Sequence, residues 1–264
     1  MPNSPAIVSL GEPLIEFNRP KEGDGRTWLQ GFGGDSQNVV IAAARQGVST
    51  GYLTSVGQDW MGDAFLDLWK AEGVDASRVA RHPTAPTGVS FVTHSAAGHK
   101  FDYLRKNSAA SLMTPETLAT DYIAGAKYFH LSAIGQAISE SARLTCAAAI
   151  AAARKAGVKV SYDTNLRLRL WELDQARQVI DTTIAQCDVA LPSLDDSQQL
   201  TGLIAPDAIA DYYLGLGAPL VALKMGSEGS LIATRDRRTR VPPFKVDAVD
   251  ATGAGDTFDG AFLT

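Results

Sequence analysis

Two cysteines and four histidines in 264 residues leave little material for a metal centre or a disulfide framework. Cys146 falls in a helical pattern and Cys187 begins a strand pattern, and neither has ligand spacing. Both read as small buried residues of a chain kept reduced in the cytoplasm. His130, inside Tyr128-Phe129-His130-Leu131, reads as a satisfied core residue. No apolar run reaches membrane-spanning length, and Met1-Pro2-Asn3-Ser4-Pro5 lacks a signal-peptide pattern. No lysine or arginine run marks a nucleic-acid or membrane surface, so neither is expected as a partner. Net charge is −5, so an anionic substrate needs a local basic pocket set against the overall charge. Internal repeats, low-complexity stretches and linkers are absent, which leaves one unit over residues 1–264.

What is present is alternation of strand and helix patterns. Ala6 to Leu10 reads as a strand, with alternation continuing through Leu14, Ile15 and Phe17. A helix is expected from Ser36 to Gln46, ended by Gly47. A strand at Tyr52 to Val56 and a helix at Met61 to Glu72 follow. Later come strands at Lys127–Leu131, Val158–Tyr162, Asp188–Leu191 and Leu220–Lys224, separated by helices at Glu140–Ala156, Asp174–Gln186 and Asp207–Leu216. This order predicts an α/β, doubly wound, mostly parallel sheet with helices on both faces. Ligands in such sheets bind beyond the carboxyl ends of the strands. Glu12 to Phe32 and a hairpin at Thr87 to Arg105, turning at Ala96-Ala97-Gly98, break the pattern. Together, over about 12–32 and 87–106, they suggest a small β lid.

Residues 250–258, Asp-Ala-Thr-Gly-Ala-Gly-Asp-Thr-Phe, carry the sharpest chemical signal. Gly253-Ala254-Gly255 runs into an apolar-periodic segment and reads as a helix N-terminus with bare amides. The helix dipole adds roughly half a positive charge there, and glycines let a phosphate approach. Asp256 sets one carboxylate beside that anion site. The same dipole is expected to hold Asp256 ionised, which makes it a weak base. A plain tight turn with Asp as a helix cap reads the same way from this segment alone.

Other clusters are weaker singly. Gly33-Gly34-Asp35-Ser36-Gln37-Asn38 brings backbone and an amide side chain close to a small ligand; a helix start capped by Ser36 has the same spelling. Gly57-Gln58-Asp59-Trp60-Met61-Gly62 is a polar turn or a loop capped by Asp59. Phe101, Tyr103 and Arg105 share one face of a strand. A phenol and a guanidinium there suit a ligand with hydroxyls and a carboxylate. Arg167, in Asp163-Thr164-Asn165-Leu166-Arg167-Leu168-Arg169, is a second candidate for gripping an anion. Lys224-Met225-Gly226-Ser227-Glu228-Gly229 reads as a nucleotide-approaching turn or a hairpin loop.

These blocks, in this order, resemble the ribokinase-like (PfkB) family of carbohydrate kinases over almost the whole chain. Gly33-Gly34 with Asn38, then Gly57, Asp59 and Gly62, are similar to its amino-terminal signature; residues 250–258 are similar to its carboxyl-terminal one. Within the family, Gly11-Glu12-Pro13, Gly33-Gly34-Asp35, Tyr103 with Arg105, Ser108-Ala109-Ala110 and Leu191-Pro192-Ser193 are most similar to the 2-keto-3-deoxygluconate kinases. The resemblance implies ATP-dependent phosphorylation of a sugar acid's primary hydroxyl, with a fructokinase or a non-catalytic sugar binder as alternatives.

It implies Asp256 as base, and Gly253, Ala254 and Gly255 as the anion hole. It places Gly33, Gly34, Asn38, Tyr103, Arg105 and Arg167 on the sugar, and Asn165, Ser193, Lys224, Gly226, Ser227 and Gly229 on the ATP side. Mg²⁺ is implied with no direct protein ligand, Asp196 acting through water; K⁺ is an optional addition. The lid is implied to form a homo-oligomer contact. Relatives continue past the second signature through helices that wall the adenine pocket, so a chain stopping at Thr264 is expected to bind ATP weakly.

Overall fold

The computed structural model describes residues 4–22, 24–95, 98–247 and 250–264. From the amino end come β1 (Ile7–Leu10), β2 (Leu14–Asn18), β3 (Leu29–Gly33), α1 (Asp35–Arg45), β4 (Thr50–Leu53) and β5 (Ser55–Gly57). Then follow α2 (Trp60–Ala71), β6 (Val74–Asp75), β7 (Ala80–His82), β8 (Gly88–Ser95), β9 (Gly98–Leu104), α3 (Thr120–Ala124) and β10 (Tyr128–Ser132). The second half holds α4 (Ala133–Ala137), α5 (Glu140–Lys155), β11 (Lys159–Asp163), α6 (Leu173–Ile184), β12 (Val189–Ala190), α7 (Leu194–Thr201) and α8 (Pro206–Leu216). It ends with β13 (Leu220–Lys224), β14 (Ser230–Ala233), β15 (Arg238–Val241) and α9 (Ala254–Phe262).

Nine strands form the main sheet in the order β15-β14-β13-β12-β11-β10-β1-β4-β6. It is parallel from β13 through β6 and antiparallel where β14 and β15 are added. Both faces are buried, as helical crossovers require. Val8 and Leu10 point into a core shared with Ile150 of α5, Ile180 of α6 and Ile209 of α8. Ile7, one residue before Val8, packs on the other face with Val39 and Ala43 of α1 and Leu263 after α9. β13 splits alike: Val221 and Leu223 face the first core, and Ala222 faces Phe258 and Phe262 of α9. Those two rings stack at 6.0 Å.

α1 and α9 lie against each other at Gly260, where a Cβ would stand 2.5 Å from Val39 O and 2.8 Å from Ala42 Cβ. Only glycine permits that approach. Both helices pack on one face of the main sheet, α1 through Val39 and Ala43 and α9 through Phe258 and Phe262.

A four-stranded sheet, β3-β2-β8-β9, arises from the two irregular stretches. The turn expected at Ala96-Ala97 lies outside the described residues. The strand expected at Tyr52 to Val56 is broken at Thr54: β4 stays in the main sheet, and β5 pairs with β7. Thr54 O accepts from Ala80 N at 2.9 Å, which turns the chain toward that second partner. Cys187 sits in the turn ahead of β12, its N–H bonded to Ile184 O at 3.0 Å, not within the strand. Burial pushes both thiols up, that of Cys146 to about 12, so neither supplies a thiolate. His130 Nδ1 pairs with Ser161 Oγ at 2.9 Å, and burial lowers its pKa to about 4. Among the described residues, no helix is long and apolar enough to cross a membrane.

Candidate functional site

β11 and β13 end in Asp163 and Lys224, and β12 is followed by Pro192 and Ser193, all at the carboxyl edge of the main sheet. α9 begins over that edge. Gly253 is its N-cap, with φ of +74°, and no side chain caps the helix. Ala254 N–H is taken by Ala251 O at 3.1 Å and Thr257 N–H by Gly253 O at 2.9 Å. The amides of Gly255 and Asp256, lacking intrahelical partners by position, face outward. The helix therefore starts where the apolar period begins, at Ala254.

Asp256 accepts a hydrogen bond from Asn38 Nδ2 at 2.9 Å. Its half-buried carboxyl is pushed up to about 7, first by burial and next by the neighbouring charge of Asp35. The sequence-based expectation of an ionised, weakly basic Asp256 is therefore corrected. Desolvation together with a like charge outweighs the helix dipole. Asp35 is half-buried at the first turn of α1, accepts from Ser132 Oγ, and is itself raised by desolvation. Ser36 does not cap α1; Gly34 does, with φ of +118°, and Ser36 Oγ pairs with buried Tyr52 OH at 2.9 Å. A Cβ on Gly34 would meet Glu12 O at 2.6 Å. Asp59 caps α2, accepting from Gly62 N at 2.8 Å, and also binds Thr87. It serves the scaffold.

Every residue singled out for catalysis, sugar or nucleotide lines one open cleft between the main-sheet edge and the small sheet. Arg105 does not stand free in it. Its Nε donates to Glu12 Oε2 at 2.7 Å, Nη2 pairs with the same oxygen, and Ser108 Oγ donates to Glu12 Oε1 at 2.5 Å. The Glu12 side chain is 0% exposed and that of Arg105 11%. Burial raises Glu12, and Arg105 and Ser108 pull it back. The guanidinium lies 5.3 Å from the Tyr103 ring centroid. Two of its five N–H groups are used by Glu12, which leaves its terminal fork available. Arg167 Nη1 donates to Leu166 O at 2.7 Å; desolvation raises the half-buried Asp196, and the charge of Arg167 offsets part of that rise.

On the other side, Asp196 Oδ2 accepts from Leu166 N at 3.1 Å. Ser193 is the N-cap of α7, so its hydroxyl has a structural task as well. Asn165 N–H binds Asp163 Oδ1 at 3.1 Å. Gly226–Glu228 forms a single 3-10 turn between β13 and β14, so the segment is a hairpin loop that also borders the cleft. Gly226, φ +56°, has open space where a Cβ would be, whereas at Gly229 a Cβ would meet Val241 O at 2.1 Å. Glycine at 229 answers to packing; at 226 it leaves the cleft open. Among the described residues, no group of three or more His, Cys, Asp or Glu is placed to hold a metal ion.

The sequence pattern of the pfkB family carbohydrate kinases matches residues 4–264. The chain belongs to that family. The kinase is 36% identical to the 2-dehydro-3-deoxygluconokinase of Bacillus subtilis over 95% of this chain and 80% of the relative. It is 35% identical to a probable fructokinase of Arabidopsis thaliana over 100% of this chain and 83% of the relative. Among solved structures, a PfkB protein from Polaromonas matches with a TM-score of 0.91 and 30% identity, covering 98% of this chain and 87% of that one. A Vibrio cholerae fructokinase, solved with fructose, ADP and calcium, matches at 0.87 and 27% identity, covering 98% and 83%. The fold is the ribokinase-like one that the sequence resemblance implied.

Glu12, Asp35, Asp163 and Asp259 carry charge into this region without having been assigned roles from sequence. Their only signal was an acidic residue at or just past a buried strand, or on the inward face of a helix.

Proposed function

We propose that this carbohydrate kinase transfers the γ-phosphoryl group of ATP to the primary (6-)hydroxyl of 2-keto-3-deoxygluconate, giving 2-keto-3-deoxy-6-phosphogluconate. The supporting observation is the pairing of Asp256 with Asn38 at the head of α9, in the same cleft as the Arg105 fork and Tyr103. Asp256, poised near neutrality, takes the hydroxyl proton. The outward amides of Gly255 and Asp256 meet the transferring group, where preorganised donors do most of the work in a loose phosphoryl transition state. Arg105 and Arg167 are the groups that would grip the acid's carboxylate, with Gly33, Gly34, Asn38 and Tyr103 around the hydroxyls.

Asn165, Ser193, Lys224 and the 226–229 turn border the side left for ATP. Asp196 and Asp163 have the oxygen chemistry to hold Mg²⁺ through its waters, and the ion when bound supplies charge neutralisation at the phosphates. The exposed Leu29 and Leu104 of the small sheet support pairing with a second copy.

Fructose is the second reading. It is favoured by Glu12, which already balances the charge of Arg105, and by the similar identity to fructokinases. A coupled assay of ATP consumption decides: 2-keto-3-deoxygluconate is expected to give a kcat/KM at least about 100-fold above that of fructose, the scale of a lost bidentate ion pair in a preorganised site. Fructose turned over as well or better would overturn the sugar-acid assignment.

A further inference from the structure

Asp259 has no part in the reaction described above, yet it brings a carboxylate into the core. It lies one turn beyond Asp256 on α9 and its side chain is fully buried. Neighbouring Phe258 and Phe262 pack on apolar residues. Both Asp259 oxygens instead accept from Lys224 Nζ, each at 2.9 Å. The third partner of that ammonium is Asp163 Oδ2 at 3.0 Å. Asp163 borders the cleft; Asp259 does not. One side of the cation is thus held by a group no ligand reaches, and the other by a carboxylate a ligand can approach.

The place where the cation is held matters. A Cβ built on Gly255 would lie 3.8 Å from Lys224 Nζ. The ammonium therefore sits directly behind the turn whose amides face the cleft. A lysine stem of four carbons does not hold a point charge in one position unaided. Burial of such a trio is costly unless its geometry is good, and replacement by apolar residues is commonly neutral for stability.

We propose that Asp259 is a positioning residue for phosphoryl transfer: it pins Lys224 Nζ behind Gly255, so that the cation faces the group being transferred, with Asp163 as the partner that yields. This rests on placing transfer at Gly253–Gly255. Asp259 meets no substrate and acts through Lys224.

Asp259→Asn keeps the shape and replaces one of the two oxygens that accept from Lys224 Nζ with an amide donor. It is expected to lower kcat about 10- to 100-fold with the sugar KM within about threefold, as misplacement of a preorganised charge does. In a Lys224→Met background, Asp259→Val is expected to change kcat by less than about twofold, because residues acting as one unit are not additive. If Asp259→Val does not fold alone, the double variant, which lacks both charges, still carries the comparison with Lys224→Met. A readout free of turnover is acylation of lysines by an N-hydroxysuccinimide ester, followed by peptide mass spectrometry. Lys224 is expected to react far more slowly than exposed Lys155 in the wild type, and to become reactive in Asp259→Asn.

Wild-type kcat in Asp259→Asn, multiplicative losses in the double variant, or wild-type Lys224 as reactive as Lys155 would each overturn the proposal. A wild type that phosphorylates no sugar overturns the placement of transfer itself, and this proposal with it. An active wild type matched by Asp259→Asn overturns the role of Asp259 alone.

Discussion

Asn38 Nδ2 donates to Asp256 Oδ2 at 2.9 Å across 218 residues of sequence. That bond joins the helix behind Gly33-Gly34 to the helix behind Gly253-Ala254-Gly255. It fixes one carboxylate oxygen and leaves the other for a ligand. Asn38→Ala is expected to reduce kcat about 10-fold or more, since a general base acts only when its geometry is held. Steady-state kinetics at saturating sugar and ATP measure it; an unchanged kcat would show that the bond does not orient the acid.

Removing the acid itself should be more severe. Asp256→Asn is expected to lose roughly 10²–10⁴-fold in turnover, with sugar affinity nearly kept. The same change should raise stability. Asp256 has a folded-state pKa of about 7 against an ordinary 3.8, so the folded chain retains a proton that the unfolded chain releases. Stability is therefore lost as pH rises through that window. Asp256→Asn should melt about 2–6 °C higher than wild type at pH 8 and equally near pH 4, by calorimetry.

The pH profile gives a third check. Because the base must be ionised, kcat/KM is expected to rise with pH and level off above an apparent pKa near the value of about 7 that burial and Asp35 impose on Asp256. Asp35→Asn removes the like charge, so the rising limb should move toward lower pH. A limb that stays in place would assign it to another group.

The Glu12–Arg105 pair separates binding from folding. Arg105→Ala is expected to harm an acid sugar at least about 10-fold more than a neutral one, while leaving Glu12 buried and unpaired. That second effect should lower stability by about 3–5 kcal/mol, the scale for breaking a buried ion pair. Equal losses for both sugar classes would count against a substrate carboxylate at Arg105.

Strand and helix order along the main sheet was legible because apolar periods of 2 and 3.6 alternate cleanly, and Gly47, at positive φ, stops α1 where expected, as Gly73 and Gly157 do after α2 and α5. The start of α9 was legible because Gly253-Ala254-Gly255 leads straight into an apolar period. The titration of Asp256 was not legible. It depends on Asp35, which neighbours it only because α1 and α9 pack, and on burial that a local pattern does not contain. The engagement of Arg105 by Glu12 was hidden for the same reason: the two are 93 residues apart and meet through the small sheet. The break at Thr54 was not legible because the apolar pattern of Tyr52 to Val56 is continuous, and the choice of partner lies elsewhere in the chain.

The close fit of Gly260 against α1 has a consequence for synthesis. The acid and the amides belong to residues 254–262, whereas the surface they complete is made from residues 33–45. A ribosome delivers residues 33–45 long before it reaches residues 254–262. Every nascent intermediate up to residue 253 therefore carries α1 without the helix that packs on it, and the face around Val39 and Ala42 stays uncovered until α9 docks.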